Sequence, residues 1–355
     1  MLNIKITESL TKKEKPSDES HLGFGQIFTD HMFLMNYDEG QGWHSARIVP
    51  YGPLELDPST AVFHYAQEIF EGLKVYRTNT GLQMFRPDCN AERFQNSAVR
   101  MSMPIIPQED FIQACKALVS LEKDWVPSSQ GTTLYLRPFM IATGIGLGVH
   151  ASKSYQFLII ASPSGAYYES GLKPTKIYVE DEYIRSAPGL TGFAKCGGNY
   201  AASIRSGEFA HELGFDQVLW LDGVYHEYVE EVGSMNIFFK IDGKLYTAPC
   251  NGTVLPGVTR RSVITLAREM GYKVMEEKLS ITDVMKAGRE GRLEEVFGTG
   301  TAAVISPVGV LRKKEETIII NDGVIGPVSK KMYDTLTDIQ WGRSSMHRDW
   351  IMPIE

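Results

Sequence analysis

Near the middle of the chain, Ser162 to Pro174 reads SPSGAYYESGLKP. Gly, Ser and Pro cluster there, and such clusters interrupt helices and strands alike. Strand-like and helix-like patterns alternate on both sides of it. In a chain of 355 residues, a break at this place predicts two domains. The expected layout is a smaller N-terminal domain over 1–162, a linker over 163–174 and a larger C-terminal domain over 175–355. The fold class is α/β in its α+β form, two mixed α/β domains.

The local patterns support that class. The first twenty or so residues are polar and read as loose. HMFLMNYDEGQGWHSARIVPY reads as two strands about a Gly-rich turn. PSTAVFHYAQEIF reads as a helix capped by Ser59 or Thr60. LKVYRTNTGLQMFRP is a hairpin pattern turning at Asn79 to Gly81. Asn90 reads as the cap of a helix that stops before Pro104. QEDFIQACKALVSLEKDW is amphipathic, and TTLYLRPFMIAT and SYQFLIIAS are β-rich. In the second half, Asn199 reads as the cap and Gly214 as the terminator of a helix from about Tyr200 to Glu212. Asp242-Gly243 marks a hairpin tip, Ser280 precedes a helix, and LPGVTRRSVITLAREMG reads as a helix ending at Gly271.

Composition excludes several function classes. A net charge of -7 gives no basic footprint, which argues against a nucleic-acid partner. Cys89, Cys115, Cys196 and Cys250 form no CxxC pair, so neither a disulfide framework nor a metal site is expected. No apolar run is long enough to cross a membrane. The N-terminal stretch lacks a signal-peptide core and predicts a cytoplasmic protein.

Four places carry chemistry. GFAKCGGNYAA sets Lys195 among small residues with no acid beside it. A P-loop does not fit, because the GxxxxGK spacing is missing. Two readings stand: a solvated loop lysine, or an amine whose apolar surround lowers its pKa and frees it to attack an aldehyde. In YVEEVGSMNIFF, Glu230 reads as a solvated charge at a strand start, while strand alternation turns Glu231 inward. A buried carboxylate needs a cationic or hydrogen-bonding partner, and a protonated ring nitrogen would serve. LPGVTRRS opens a helix at Val258 and Thr259, a ready anion site or an ordinary turn, and FGTGTA sets Thr299 and Thr301 among glycines. Arg137 lies in an apolar β run, where its guanidinium needs an anion or an outlet to water; Arg93 lies in a helix. An amine, a carboxylate, a phosphate cradle and a carboxylate-binding arginine together point to pyridoxal 5′-phosphate.

HYAQEIFEGLKVYR, RPDCNAERF, YLRPFMIATG, KCGGNY, EVGSMNIFF and LPGVTR, in this order, resemble the motifs of the branched-chain amino-acid aminotransferases, fold type IV pyridoxal-phosphate enzymes. The resemblance runs from FGQIFTDHM to FGTGTAAVISPV and implies an active site at the domain interface. It implies that Lys195 binds the cofactor and then carries the proton. It implies that Glu231 faces the pyridine nitrogen and Tyr200 the ring hydroxyl. Arg93, Val258, Thr259 and Thr301 match the phosphate cradle. Phe24, Tyr65, Phe70 and Tyr135 match the walls of the side-chain pocket, with Thr301 and Ala302 also at the substrate. Arg137 matches the arginine that receives the distal carboxylate of glutamate. GIGLGVH, Gly144 to His150, matches a loop that approaches the neighbouring subunit's site, so a homodimer is implied. Some relatives carry a CxxC redox pair after the GTGT-like loop; Ala303 and Ser306 stand there, so no thiol switch is expected.

The implied activity is a ping-pong exchange of an amino group between leucine, isoleucine or valine and 2-oxoglutarate. The small-molecule partners are therefore amino acids and 2-oxo acids. The alternatives are a D-amino-acid aminotransferase or an aminodeoxychorismate lyase of the same fold. A non-catalytic phosphate-binding module is a further alternative, one that gives Lys195 and Glu231 no task.

Overall fold

The structure is a computed structural model describing residues 1–165 and 172–355. It separates into two compact units. One comprises the described residues of Met1–Glu169 with Ala194–Gly197 and Ile339–Glu355; the other comprises those of Ser170–Phe193 with Gly198–Asp338. The segment bearing Lys195 and the C-terminal tail thus group with the first unit, whereas the sequence pattern assigns both to the second. Half of the expected linker, residues 166–171, lies outside the described residues, and its first part, through Ser164, continues the strand Ser154–Ser164.

The first unit is built on a sheet running Lys5–Ile6, Gly42–Pro50, His31–Asp38, Ser154–Ser164, Thr133–Ala142, Leu73–Thr78, Gly81–Phe85 and Ile351–Ile354. The short strand Glu68–Phe70 pairs with Thr133–Ala142. Only the first pairing is parallel; the others are antiparallel. Helices Pro87–Arg100 and Gln108–Leu121 pack on it through Phe94, Phe111 and Phe157, whose rings lie 5.4–5.9 Å apart. Each such fully buried side chain contributes roughly 1.5–3 kcal/mol.

Three expectations change in this unit. The N-terminal segment is tied down: Lys5–Ile6 pairs with Arg47 and Ile48, and the Ser9 amide donates to His31 Nε2 at 2.8 Å. The helix after Thr60 is one turn, Ala61–Tyr65; Ala66 turns left-handed (φ 47°), and the chain becomes the strand Glu68–Phe70. Asn90 caps nothing. It lies inside Pro87–Arg100, and its amide donates to Glu71 at 2.8 Å.

The second unit carries a sheet running Val229–Val232, Gln217–Leu221, Thr175–Val179, Val304–Lys313, Leu293–Gly300, Met235–Ile241, Lys244–Thr247 and Val274–Glu276. An extra pairing of Val229–Val232 with Met235–Ile241 closes the first six of these strands into a ring, which leaves no free edge among them. Ile177, Leu219, Ile237, Val296 and Leu311 fill its core. Ser280 caps Ile281–Arg289 as its position predicts, accepting from the Asp283 amide. Asn199 does not cap. It sits within Gly197–Ala201 and exchanges hydrogen bonds with Thr191, at 2.7 and 2.8 Å. The expected helix from Tyr200 to Glu212 is therefore two, Gly197–Ala201 and Ile204–Glu212.

Candidate active site

Lys195 is held by its backbone. Its amide donates to Ser97 Oγ (2.9 Å), and its carbonyl accepts from the Phe70 amide (2.9 Å). These bonds leave the side chain to project. Its Nζ lies over the Phe70 ring, 4.7 Å from the centroid. Two residues on, the Gly197 amide donates to the Glu68 carboxylate. A Cβ at Gly197 would fall 2.1 Å from Glu68 Oε1, so only glycine admits this approach. Burial raises the Glu68 carboxyl, against the Gly197 hydrogen bond and the Arg137 charge.

Arg137 shares the same aromatic floor. Its guanidinium carbon lies 4.7 Å from the Phe70 centroid and 5.4 Å from that of Tyr135. Tyr135 and Arg137 are two apart on Thr133–Ala142, so alternation puts them on one face. Phe24 meets Tyr135 edge to face at 4.8 Å. Arg137 Nη2 donates to the Tyr135 hydroxyl at 3.2 Å, yet Arg137 Nε is buried with no hydrogen-bond partner among the described residues. A buried donor left this way is costly and marks a place for an acceptor. Tyr65 sits by the 144–150 loop, where its hydroxyl donates to the Leu147 carbonyl.

Arg93 grips Glu71 with two nitrogens, at 2.7 and 2.8 Å, deep in the first unit. Burial would raise the Glu71 carboxyl, but the Arg93 charge and hydrogen bond, with Lys195 and Asn90, hold it below its ordinary value.

In the second unit, Glu231, Asn236 and Thr299 stand directly opposite one another on three adjacent strands. Residues so paired share a face. Glu231 is buried and fully engaged: Oε1 accepts from Asn236 Nδ2 (3.0 Å) and the Leu255 amide (2.9 Å), and Oε2 lies 2.6 Å from Arg185 Nε. Thr299 Oγ1 is buried without a hydrogen-bond partner among the described residues. Val258 and Thr259 open the helix Val258–Glu269, whose first amides have no partner within the helix. Gly257 precedes them; a Cβ there would lie 2.1 Å from Asn236 Oδ1. Thr301 and Ala302 form the turn after Leu293–Gly300, half-buried. Past it, Val304 has φ 62°, a rare conformation for a β-branched residue and one that gathers at functional sites. Tyr200 is half-buried on Gly197–Ala201.

Glu230 is not the solvated charge that its position suggests. It is 6% exposed. The register slips between Trp220 and Leu221, and this bulge breaks the alternation that would have turned Glu230 away from Glu231. Arg185, Asn236, Glu68, Glu71 and Ser97 all escape sequence reasoning as site residues. All but Asn236, five residues from Glu231, act through a partner distant in sequence, and the only signal for the two acids is their place in the EIFEGLK run.

The donor set suits the predicted cofactor chemistry. The first unit offers an amine over an aromatic ring and a cation lacking one acceptor; the second, described by itself, offers a buried carboxylate in an ion pair, helix-terminal amides and an unpartnered buried hydroxyl. Among the described residues no cluster of side chains could hold a metal, and no helix is long and apolar enough to cross a membrane.

Comparison with known proteins agrees. Residues 68–310 match the family described as Amino-transferase class IV. The chain is 56% identical over 344 residues to branched-chain-amino-acid transaminase 1 of Bacillus subtilis (strain 168), covering 96% of each. It is 51% identical to branched-chain-amino-acid aminotransferase 2 of the same organism, over 98% of this chain and 96% of that one. Among solved structures, Escherichia coli branched-chain amino acid aminotransferase superposes with a TM-score of 0.76 at 27% identity, covering 90% of this chain and 99% of that one. The T.th. branched-chain amino acid aminotransferase with pyridoxamine 5′-phosphate gives 0.77 at 27% identity, covering 91% and 98%. The chain belongs to the class IV aminotransferase family and, within it, to the branched-chain amino-acid aminotransferases.

Proposed function

We propose that the protein transfers the amino group of L-leucine, L-isoleucine or L-valine to 2-oxoglutarate, using pyridoxal 5′-phosphate, as a homodimer. The observation that carries this reading is the shared Phe70 floor beneath Lys195 and Arg137. The site must take an apolar side chain in one half-reaction and a carboxylate in the other. Phe24, Phe70 and Tyr135 supply apolar wall, and Arg137, with Nε unpartnered, supplies the cation at its edge.

The cofactor, when bound, supplies an aldehyde and an electron-withdrawing ring. Lys195 Nζ would hold that aldehyde and, once displaced by substrate, would be the base that carries the substrate's Cα proton. Backbone bonds to Ser97 and Phe70 fix the reach of that amine. Glu231 orients the ring nitrogen, and Arg185, Asn236 and Leu255 hold Glu231 in place. The amides at Val258 and Thr259, with Thr301, bind phosphate; Arg93 stands with them in this reading, its own charge balanced by Glu71. Tyr200 faces the ring hydroxyl.

Single-turnover measurements on Arg137→Met test the assignment. The 2-oxoglutarate half-reaction should slow at least about tenfold more than the leucine half-reaction, since a charge-assisted hydrogen bond contributes about 1.5–3 kcal/mol. Equal losses in both would remove Arg137 from the site.

A further inference from the structure

We propose that Glu230 is a positioning residue, kept as a neutral carboxylic acid so that it donates to Thr253 and thereby locks the 251–255 segment and Arg185 onto Glu231. The proposal rests on the reading of Glu231 as the partner of the ring nitrogen.

Thr253 Oγ1 contacts two acceptor oxygens, Glu230 Oε1 and Asn251 Oδ1, the latter at 2.9 Å. A hydroxyl has one hydrogen and satisfies one of them. Asn251 Oδ1 also faces the Thr253 amide, at 3.5 Å, which marks it as the acceptor. The remaining hydrogen must then come from Glu230. The other oxygen, Glu230 Oε2, is buried without a hydrogen-bond partner among the described residues, which a carboxylate tolerates badly and a neutral acid tolerates better.

The contacts continue to Glu231. The Thr253 carbonyl accepts from Arg185 Nη1 at 3.0 Å, and Arg185 Nε meets Glu231 Oε2. Two residues past Thr253, the Leu255 amide donates to Glu231 Oε1. Glu230 and Glu231 therefore clamp one short segment at two points, just before it enters the helix at Val258. The bulge makes this possible, because it turns two consecutive side chains into the interior.

The surrounding charges agree. Burial above all, with the charges of Glu231 and Asp222, pushes the Glu230 carboxyl up to about 7 against the Thr253 hydrogen bond and the Arg185 charge. Tyr225, Tyr228 and Lys278 line the small cavity beside it, and Lys278 Nζ lies over the Tyr228 ring at 4.9 Å. Once Glu230 ionises, Thr253 must give its hydrogen to Glu230 and release Asn251. The segment then loses its Thr253–Asn251 hydrogen bond, and the clamp loosens.

The test uses the holoenzyme and Glu230→Gln, whose amide reproduces the donor of the neutral acid. Infrared difference spectra of wild type against the variant should show a protonated-carboxyl band at about pH 6 that vanishes by about pH 8.5, on either side of the carboxyl's value of about 7. Its absence at the lower pH overturns the proposal. Amide hydrogen exchange of residues 251–257, corrected for intrinsic rate, should accelerate about fivefold in wild type between those pH values, the equivalent of one hydrogen bond of about 1 kcal/mol. Cofactor release should accelerate in parallel. The variant should stay protected and flat. Wild type and variant responding alike to pH would refute the positioning role. Glu231→Gln is the separate control: if it leaves the bound cofactor's absorption unchanged, the reading of Glu231 fails, whatever Glu230 does.

Discussion

Glu71 and Glu230 are both buried glutamates, 0% and 6% exposed, and each stands beside a group of the candidate site. Their surroundings drive them opposite ways. Glu71 meets Arg93 through two oxygens, Asn90 through one, and the charge of Lys195; these outweigh desolvation, and its carboxyl is held low. Glu230 meets one hydroxyl, and desolvation wins. Burial alone therefore does not set the charge of a carboxyl. The number and kind of donors that tertiary structure delivers do so.

Removing the cation beside Glu71 should have the largest effect. Arg93→Met leaves Glu71 buried without its counter-ion and should cost about 3–5 kcal/mol in denaturant unfolding. A loss below about 1 kcal/mol would mean that Asn90 and Lys195 suffice, and the contrast with Glu230 would fail.

The next effect is a pH slope, and its sign differs at the two residues. The Glu71 carboxyl is lowered on folding. Its stabilisation is present above the ordinary value of 4.5 and is lost as pH falls through the lowered folded value. The Glu230 carboxyl is raised to about 7. Its folded form binds the proton more tightly, so stability declines as pH climbs from 4.5 to about 7 and is level beyond. Across that window wild type should lose at most about 3 kcal/mol relative to Glu230→Gln. Paired unfolding curves measure this; a difference that grows with falling pH would reverse the assignment.

The smallest effect is expected where both side chains are neutral. At about pH 4.5, where folded Glu230 is neutral, wild type and Glu230→Gln should unfold within about 1 kcal/mol of each other. A larger gap would show that the amide does not replace the acid, and would weaken the hydrogen count at Thr253.

Features closed by neighbours in sequence were legible. Ser280 caps its helix because the Asp283 amide is three residues away. Asp242 and Gly243 turn a hairpin because both adopt positive φ, 49° and 72°. Gly214 and Gly271 follow helices with φ of 80° and 83°. Asn90 and Asn199 look like caps by the same logic and are not. Their side chains serve Glu71 and Thr191, and nothing local announces either partner. Glu230 reads as solvated in the sequence because one bulge shifts the alternation that the pattern assumes. Within the site, Phe70, Tyr135, Arg137 and Lys195 are legible from sequence and come together in the first unit.

Composition and periodicity were enough to determine the α/β class, and the resemblance of the motifs, in their order, was enough for the family and the residue types that its chemistry requires. These rest on short-range physics and on side-chain identity, which the chain carries with it. Tertiary structure decided which carboxyl finds a cation and which keeps a proton, and whether an asparagine caps a helix or supports an acid. It also placed the Lys195 segment with the first unit. Those outcomes depend on partners far along the chain in most cases, such as Glu71 with Arg93 and Glu231 with Leu255. The free energy of a buried charge is set by what folding brings within a few ångströms of it.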